Sequence, residues 1–523
     1  DLLWFGGIGT YIKSEDESHA DASDKANDLI RINGKDVRAK AVGEGANLGV
    51  TQRGRIEYAK RGGRINADFI DNSGGVDSSD HEVNIKILLN EVMREENTKL
   101  PLKKRNTLLA KMTDDVAKLV LKHNYQQAQA ISLAEFKAKE HLQAHAALID
   151  EFESSGVFER ELEYLPDAEE IDRRRRAGEG LTRPEIGVLS SYAKIVFTKK
   201  LLDSDFLDAP ELSYWAVDYF PKAMQKQYRD EILNHRLRRE IIATRIANSV
   251  INRMGPDFVR SRVIKTGMPP SEVAKAYLIV REAFDLQSLW TRIEALDNVV
   301  PAKTQIKAMN AVVELVERET TWLLTKLGKP LDISTDIHSF KTGVNALKKT
   351  FETTLTEDEK LRITSRYDAL IADGLPEDIA KDIAGLPALG SACDIIRVAI
   401  DSTSDIEDAA RIFYQIGEVF HLEWLREQAK NLPVNNKWNA EALDGLIDQL
   451  YSCQTGLAVH ILRSMKPKER KDKHHSFVRT WIDRHEGQAA AVEHVFSEIR
   501  AAAKVDMGML IIVEQRLRAL YGG

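Results

Sequence analysis

Three glycine-bearing stretches within the first 80 residues hold the side chains best suited to chemistry. They are Gly6-Gly7-Ile8-Gly9-Thr10-Tyr11, Gly43-Glu44-Gly45-Ala46-Asn47-Leu48-Gly49 and Asn72-Ser73-Gly74-Gly75-Val76. Glycine lets backbone approach a ligand closely, as a crevice at strand ends requires. Asn47 and Asn72 add short amides that donate and accept hydrogen bonds at once. Ser79 follows, with Glu82 three residues later, the spacing of a capping box that opens a helix. A helix N-terminus attracts anions, so a capping Ser79 can still face a carboxylate. Each stretch alone also fits an ordinary tight turn, Asn47 a turn residue bonded to its own backbone, and Asn72 with Gly74 and Gly75 a glycine turn before a helix. None is a dinucleotide fingerprint: the second comes nearest, but Leu48 stands where its last glycine belongs.

The remaining polar clusters support plainer readings. Arg173, Arg174, Arg175 and Arg176 follow Glu169, Glu170 and Asp172 and form a solvated, internally compensated run. Residues 466–475 make an exposed basic loop in which His474 and His475 are adjacent rather than spaced for a shared metal. His81 fits a surface histidine at a helix start better than a proton network. Cys393 and Cys453 match neither a zinc pair nor a disulfide framework and fit a reducing cytoplasm. No metal site is predicted. A net charge of -7 and a pI near 6.1 withhold the positive field that draws proteins to nucleic acid. No apolar run approaches the roughly 18 residues that span a bilayer. Small molecules and other subunits are the partners that remain.

Two architectures are needed to position these residues. Twelve of the thirty glycines fall in the first 92 residues, where proline is absent, and that bias marks a segment unlike the remaining 431. Apolar runs at 37–42 and 64–70 have strand length and are separated by turns, which predicts a partial α/β segment. After about Ser79 the period becomes helical. Val273, Ala276, Tyr277, Val280 and Phe284 share one helix face behind the Pro269-Pro270 pair, and Ile306, Met309, Val313 and Val316 share another that Gly328 and Pro330 should end. Thr182 with Glu185 and Thr356 with Glu359 have capping-box spacing. No fixed period emerges, so the fold class expected is mainly α, a partial α/β segment followed by a large irregular helical domain. Sub-boundaries are expected near 173–180, at a turn region 332–339 and near 432–436. The chain begins at Asp1 rather than methionine and is read as a fragment.

Taken in order, the three stretches resemble the glutamate dehydrogenases, most closely the large NAD-specific class. The resemblance is specific at Asp1-Leu2-Leu3-Trp4, at Gly45-Ala46-Asn47, at Asn72-Ser73-Gly74-Gly75-Val76 and at Asp77-Ser78-Ser79-Asp80-His81-Glu82-Val83-Asn84, and extends to Gly180-Leu181-Thr182-Arg183-Pro184-Glu185. Gly49 and Val50 replace the proline and threonine of the commoner, smaller enzymes, which places a cofactor contact from Thr51 in doubt.

The resemblance implies reversible oxidative deamination of L-glutamate to 2-oxoglutarate and ammonia, with NAD as cofactor and a Rossmann-type N-terminal segment. It implies cofactor contacts from Asn47, Gly45, Ala46, Gly74, Gly75 and Gly7, with Gly6, Gly9 and Thr10 in the same loop, and substrate contacts from Ser79 and Asn72. Residues 1–92 would complete the cofactor domain and 93–523 would form a helical domain that builds subunit contacts in a homo-oligomer or modulates the catalytic part. The acid-base lysine, its aspartate partner and the phosphate-binding turn belong upstream in this family, so no catalytic residue is expected here and the fragment alone should be inactive. A free-standing helical interaction module is the competing class.

Overall fold

The structure, a computed structural model, describes residues 1–94, 100–433, 437–465, 477–502 and 504–522. Helix takes up 72% of the chain and strand 3%, so packed helices rather than sheets hold it together. Its contacts divide it into two units, Asp1–Tyr277 and Leu278–Gly523, with the division falling inside the helix Pro270–Ala283.

The first unit opens with four short strands, β1 (Leu2–Phe5), β2 (Ile12–Lys13), β3 (Ile32–Asn33) and β4 (Ala41–Glu44). β1 pairs parallel with β4, from Leu2 opposite Ala41 to Phe5 opposite Glu44, and β2 pairs parallel with β3. Single parallel bridges join Ile12 to Val50 and Ala41 to Arg64. Ile12, Val42, Val50, Tyr58 and Ile65 form the core behind them, with Leu3 and Phe5 packed against it. Burying each such side chain contributes about 1.5–3 kcal/mol, which is what anchors strands this short. The strands expected at 37–42 and 64–70 form only in part. Pairing begins at Ala41, and Arg64 makes a lone bridge before the chain turns into a helix. Asp68 and Asp71 explain the second case, because their carboxylates accept from Leu48 N–H and Glu44 N–H and hold residues 68–71 as a helical turn.

Among the described residues seven α-helices follow in this unit before residue 203: α1 (Gln52–Lys60), α2 (Asp68–Asp71), α3 (Ser73–Arg94), α4 (Leu102–Phe136), α5 (Leu142–Ser154), α6 (Ala168–Ala177) and α7 (Arg183–Leu202). Thr51 caps α1 by accepting from Gly54 N–H, and its hydroxyl donates to Glu17, so it is committed to structure. α4 packs against α3, α7 and the helix Arg238–Met254. The capping box at Thr182 and Glu185 is present, and Thr356 accepts from Glu359 N–H. α6 ends at Gly178, whose φ of 70° is the left-handed conformation that terminates helices and suits glycine.

In the second unit the periodic face is buried in part: Met309 and Val316 are buried and Ile306 and Val313 half-buried on the helix Ala302–Lys326, which stops before Gly328. Val273, Ala276, Tyr277, Val280 and Phe284, around the unit division, are all buried. Residues 333–339 are not a turn but the first two turns of the helix Ile333–Thr354, capped by the Asp332 side chain. The expected boundary at 432–436 and the expected basic loop at 466–475 fall on residues 434–436 and 466–475, outside the described residues. Among the described residues no single helix is long and apolar enough to cross a membrane; one bent pair, Glu377–Leu389 with Ala392–Ser402, passes on length and composition, but most of its apolar side chains are core.

Candidate functional site

Because β1 and β4 run parallel, the loops leaving their carboxyl ends lie side by side, Gly6-Gly7 after Phe5 and Gly45-Ala46-Asn47 after Glu44. Ala46 N–H donates to the Phe5 carbonyl at 3.0 Å, and Tyr11 N–H to the Gly49 carbonyl at 2.9 Å, stitching the two loops together. Carboxyl ends of parallel strands are where ligands enter such sheets.

A buried ion cluster beneath the second loop fixes its shape. Arg55 of α1 donates to both oxygens of the fully buried Glu44, at 2.6 and 2.9 Å, and lies 3.2 Å from Asp68. Glu44 also accepts from Val50 N–H, and Asp68 from the backbone of Leu48, which holds a left-handed φ of 61°. Burial pushes the Glu44 carboxyl up despite Arg55, with the Asp68 carboxylate nearby adding to the rise, whereas the Arg55 guanidinium is held charged against burial by Glu44. Burial also raises Asp71, whose carboxylate receives Asn66 Nδ2 at 2.8 Å and Glu44 N–H at 3.1 Å. Arg183 of α7 continues the network to Asn66 and Ser132. The sequence reading missed Arg55, Asp68 and Asp71; no spacing rule pairs residues eleven and more apart, and only the acidic Glu44 within a glycine stretch hinted at a buried partner.

The fold brings two of the predicted residues into contact. Asn72 Nδ2 donates to Asn47 Oδ1 at 2.5 Å on the exposed side of the loop, leaving the Asn47 amide NH2 and the Asn72 Oδ1 to offer a ligand. Gly75 and Gly7 are exposed, and a Cβ added to either meets nothing within 4 Å, so the space in front of them is open. A Cβ at Gly74 would touch Val120 of α4 at 3.8 Å. Gly45 has a structural reason to be glycine, since its Cβ would lie 2.5 Å from the Trp4 ring. Ala46 is half-buried. Thr10 is buried, its N–H bonded to Asp24 and its carbonyl to Arg31, so it offers nothing to the open side.

Ser79 does not open a helix. α3 begins at Ser73, because Asn124 of α4 donates to Ser73 Oγ at 2.9 Å and to the Ile70 carbonyl at 2.8 Å, anchoring the turn ahead of it. That anchorage outweighs the cost of about 1 kcal/mol for each helical glycine at 74 and 75. Ser79 is therefore an exposed second-turn residue. It follows Asn72, which precedes α3, by seven residues, with Gly75 and Val76 between them in sequence. No hydrogen bond joins it to either asparagine among the described residues.

His81 is likewise not a surface histidine. It is fully buried, stacked on Tyr219 at 4.5 Å and on His123 at 5.7 Å, and burial lowers its pKa. The arginine run divides: Arg173, Arg175 and Arg176 pair with surface carboxylates, but Arg174 is buried and binds both oxygens of Glu185 at 2.8 Å. Spacing could not reveal this, because all four positions look alike until the helix face is known.

Comparison with known proteins gives two matches along the chain. Residues 1–134 match the family described as bacterial NAD-glutamate dehydrogenase, catalytic domain, and residues 178–519 match glutamate dehydrogenase, C-terminal. The NAD-specific glutamate dehydrogenases of Halomonas elongata and Pseudomonas aeruginosa are 38% and 40% identical over 518 and 521 residues, and that of Mycobacterium tuberculosis is 32% identical over 520. In each case 99% of this chain is covered and 32% of the relative, so the chain spans about a third of the length of the curated relatives it matches. With the C-terminal family match covering well over half of the residues, the chain belongs to the glutamate dehydrogenase family.

Proposed function

We propose that this chain supplies one wall of a site for NAD and L-glutamate, in an enzyme that interconverts L-glutamate with 2-oxoglutarate and ammonia. The contact between Asn47 and Asn72 carries the reading. Two amides from separate loops meet at the carboxyl end of a parallel strand pair, with open space before Gly7 and Gly75. The strand pair and its bridges support a Rossmann-type sheet of which β1 and β4 are members.

In this reading the free donor and acceptor of the asparagine pair match a carboxamide such as that of nicotinamide, and Gly45, Ala46, Gly74, Gly75 and Gly7 keep backbone near the cofactor. NAD accepts hydride from the substrate α-carbon when bound. Asn72 borders substrate as well as cofactor, and Ser79, exposed on the second turn of α3, donates to the side-chain carboxylate of glutamate. The buried Glu44, Arg55 and Asp68 cluster fixes the loop so that little ordering is needed on binding. No acid-base residue is assigned within these 523 residues, so the chain by itself is proposed to be inactive. Residues 1–92 belong to the cofactor domain and 93–523 to a helical domain making subunit contacts in a cytoplasmic homo-oligomer.

The test is glutamate-dependent NADH formation by the longer polypeptide that contains this chain. Asn47→Ala with Ser79→Ala should lower kcat/KM by 100-fold or more. Unaltered activity would leave the chain as a non-catalytic helical module.

A further inference from the structure

Helix α3 sets Asp77 and His81 one turn apart on the face it turns toward α4, and α4 brings His123 against them. His123 Nδ1 lies 2.9 Å from Asp77 Oδ2, and one ligand atom from each of the three residues falls within 4.8 Å of the others. His81 is 0% exposed, yet neither of its ring nitrogens has a hydrogen-bond partner among the described residues. Leaving a buried polar group unmet is costly, and such a group calls for a partner. Asp77 and His123 are partly exposed, at 22% and 33% of their side chains, so the cluster has a route to solvent. Asp80, one turn along, accepts from Tyr219 at 2.6 Å and adds negative charge to the neighbourhood.

A second cluster is arranged differently. Asp257 has one oxygen 3.0 Å from His141 Nδ1 and the other 3.6 Å from His145 Nε2, so its carboxylate is shared between two imidazoles, and of the His145 ring only Nδ1 is without a hydrogen-bond partner among the described residues. At Asp77 the carboxylate engages one imidazole and the other is left over.

We propose that Asp77, His81 and His123 bind one divalent first-row transition ion. Two imidazoles and a carboxylate are the donor set for zinc and its neighbours, whereas calcium and magnesium take oxygen donors. Three protein ligands leave a coordination position for water on the exposed side of Asp77 and His123. The ion clamps α3 to α4. Because the cluster shares no residue with the asparagine pair or Ser79, the site stands or falls independently of the proposed dehydrogenase reading.

The test uses purified protein containing the whole chain, stripped with a chelator, dialysed, and titrated with Zn2+ by calorimetry and with Co2+ by visible absorption. One equivalent per chain is expected, with a dissociation constant in the micromolar range or below. Asp77→Asn and His123→Gln should each weaken binding at least 10-fold while circular dichroism and Tm in the absence of metal stay unchanged. These positions are chosen over His81→Ala, which would open a cavity. His141→Gln should bind as the unaltered chain does. Absence of saturable one-site binding, binding that survives both Asp77→Asn and His123→Gln, or loss of binding on His141→Gln instead would overturn the proposal.

Discussion

Arg55 binds both oxygens of Glu44, at 2.6 and 2.9 Å, directly beneath the loop that carries Asn47. Both side chains are out of water, so the pair stays charged only while each has the other. Arg55→Met strands a buried carboxylate and should destabilise the first unit by about 3–5 kcal/mol. Glu44→Gln combined with Arg55→Met removes both charges and should recover much of that loss. Urea denaturation of the single and double variants checks this, and equal losses in the two would show that the pair is not coupled.

The glycines separate by what stands in front of them. Gly45→Ala drives a methyl group toward the Trp4 ring, 2.5 Å away, and should cost about 1–3 kcal/mol whether or not ligand is present. Gly75→Ala meets open space inside a helix, where alanine is favoured by about 1 kcal/mol. It should therefore raise Tm while weakening NAD binding to the longer enzyme. Unweakened NAD binding in Gly75→Ala would remove Gly75 from the proposed site.

Arg174 and its neighbours provide a comparison of burial within one helix. Arg174→Ala leaves Glu185 buried without its cation and disturbs the capping box of α7, so a loss of about 3–5 kcal/mol is expected. Arg175→Ala removes an exposed pair with Asp172 and should change stability by about 0–1 kcal/mol. Chemical denaturation of the two variants side by side decides the point, and comparable effects would contradict it.

Glu319 ties the second unit to pH. Burial pushes its carboxyl up to about 7 despite Arg318 beside it; Cys393 N–H donates to it at 3.3 Å, and Asp394 is a further acidic neighbour. Between the ordinary value of 4.5 and about 7 the folded chain binds more protons than the unfolded chain, so this group's contribution to stability falls as pH rises through that window. Glu319→Gln should match the unaltered chain near pH 4.5 and exceed it above pH 7 by at most about 3 kcal/mol. Denaturation midpoints from pH 4.5 to 8 measure the difference, and a pH-independent difference would refute the assignment.

Periodicity and turn chemistry carry one physical message, the face each residue presents to its own element, and the chain made that message plain. The helical face from Val273 to Phe284, the cap at Thr182 and the stop at Gly328 follow from local sterics and backbone hydrogen bonding alone. The glycine stretches and Asn47, Asn72 and Ser79 also stood out, through residue type, order and resemblance. What lay beyond such reading were the choices made by partners distant in sequence. Asn124 moves the start of α3 from Ser79 back to Ser73, Arg55 pairs with Glu44 across eleven residues, and α4 together with Tyr219 encloses His81. A buried charge or an unmet amide is costly enough to override local preference, and which groups become buried is decided only when helices pack.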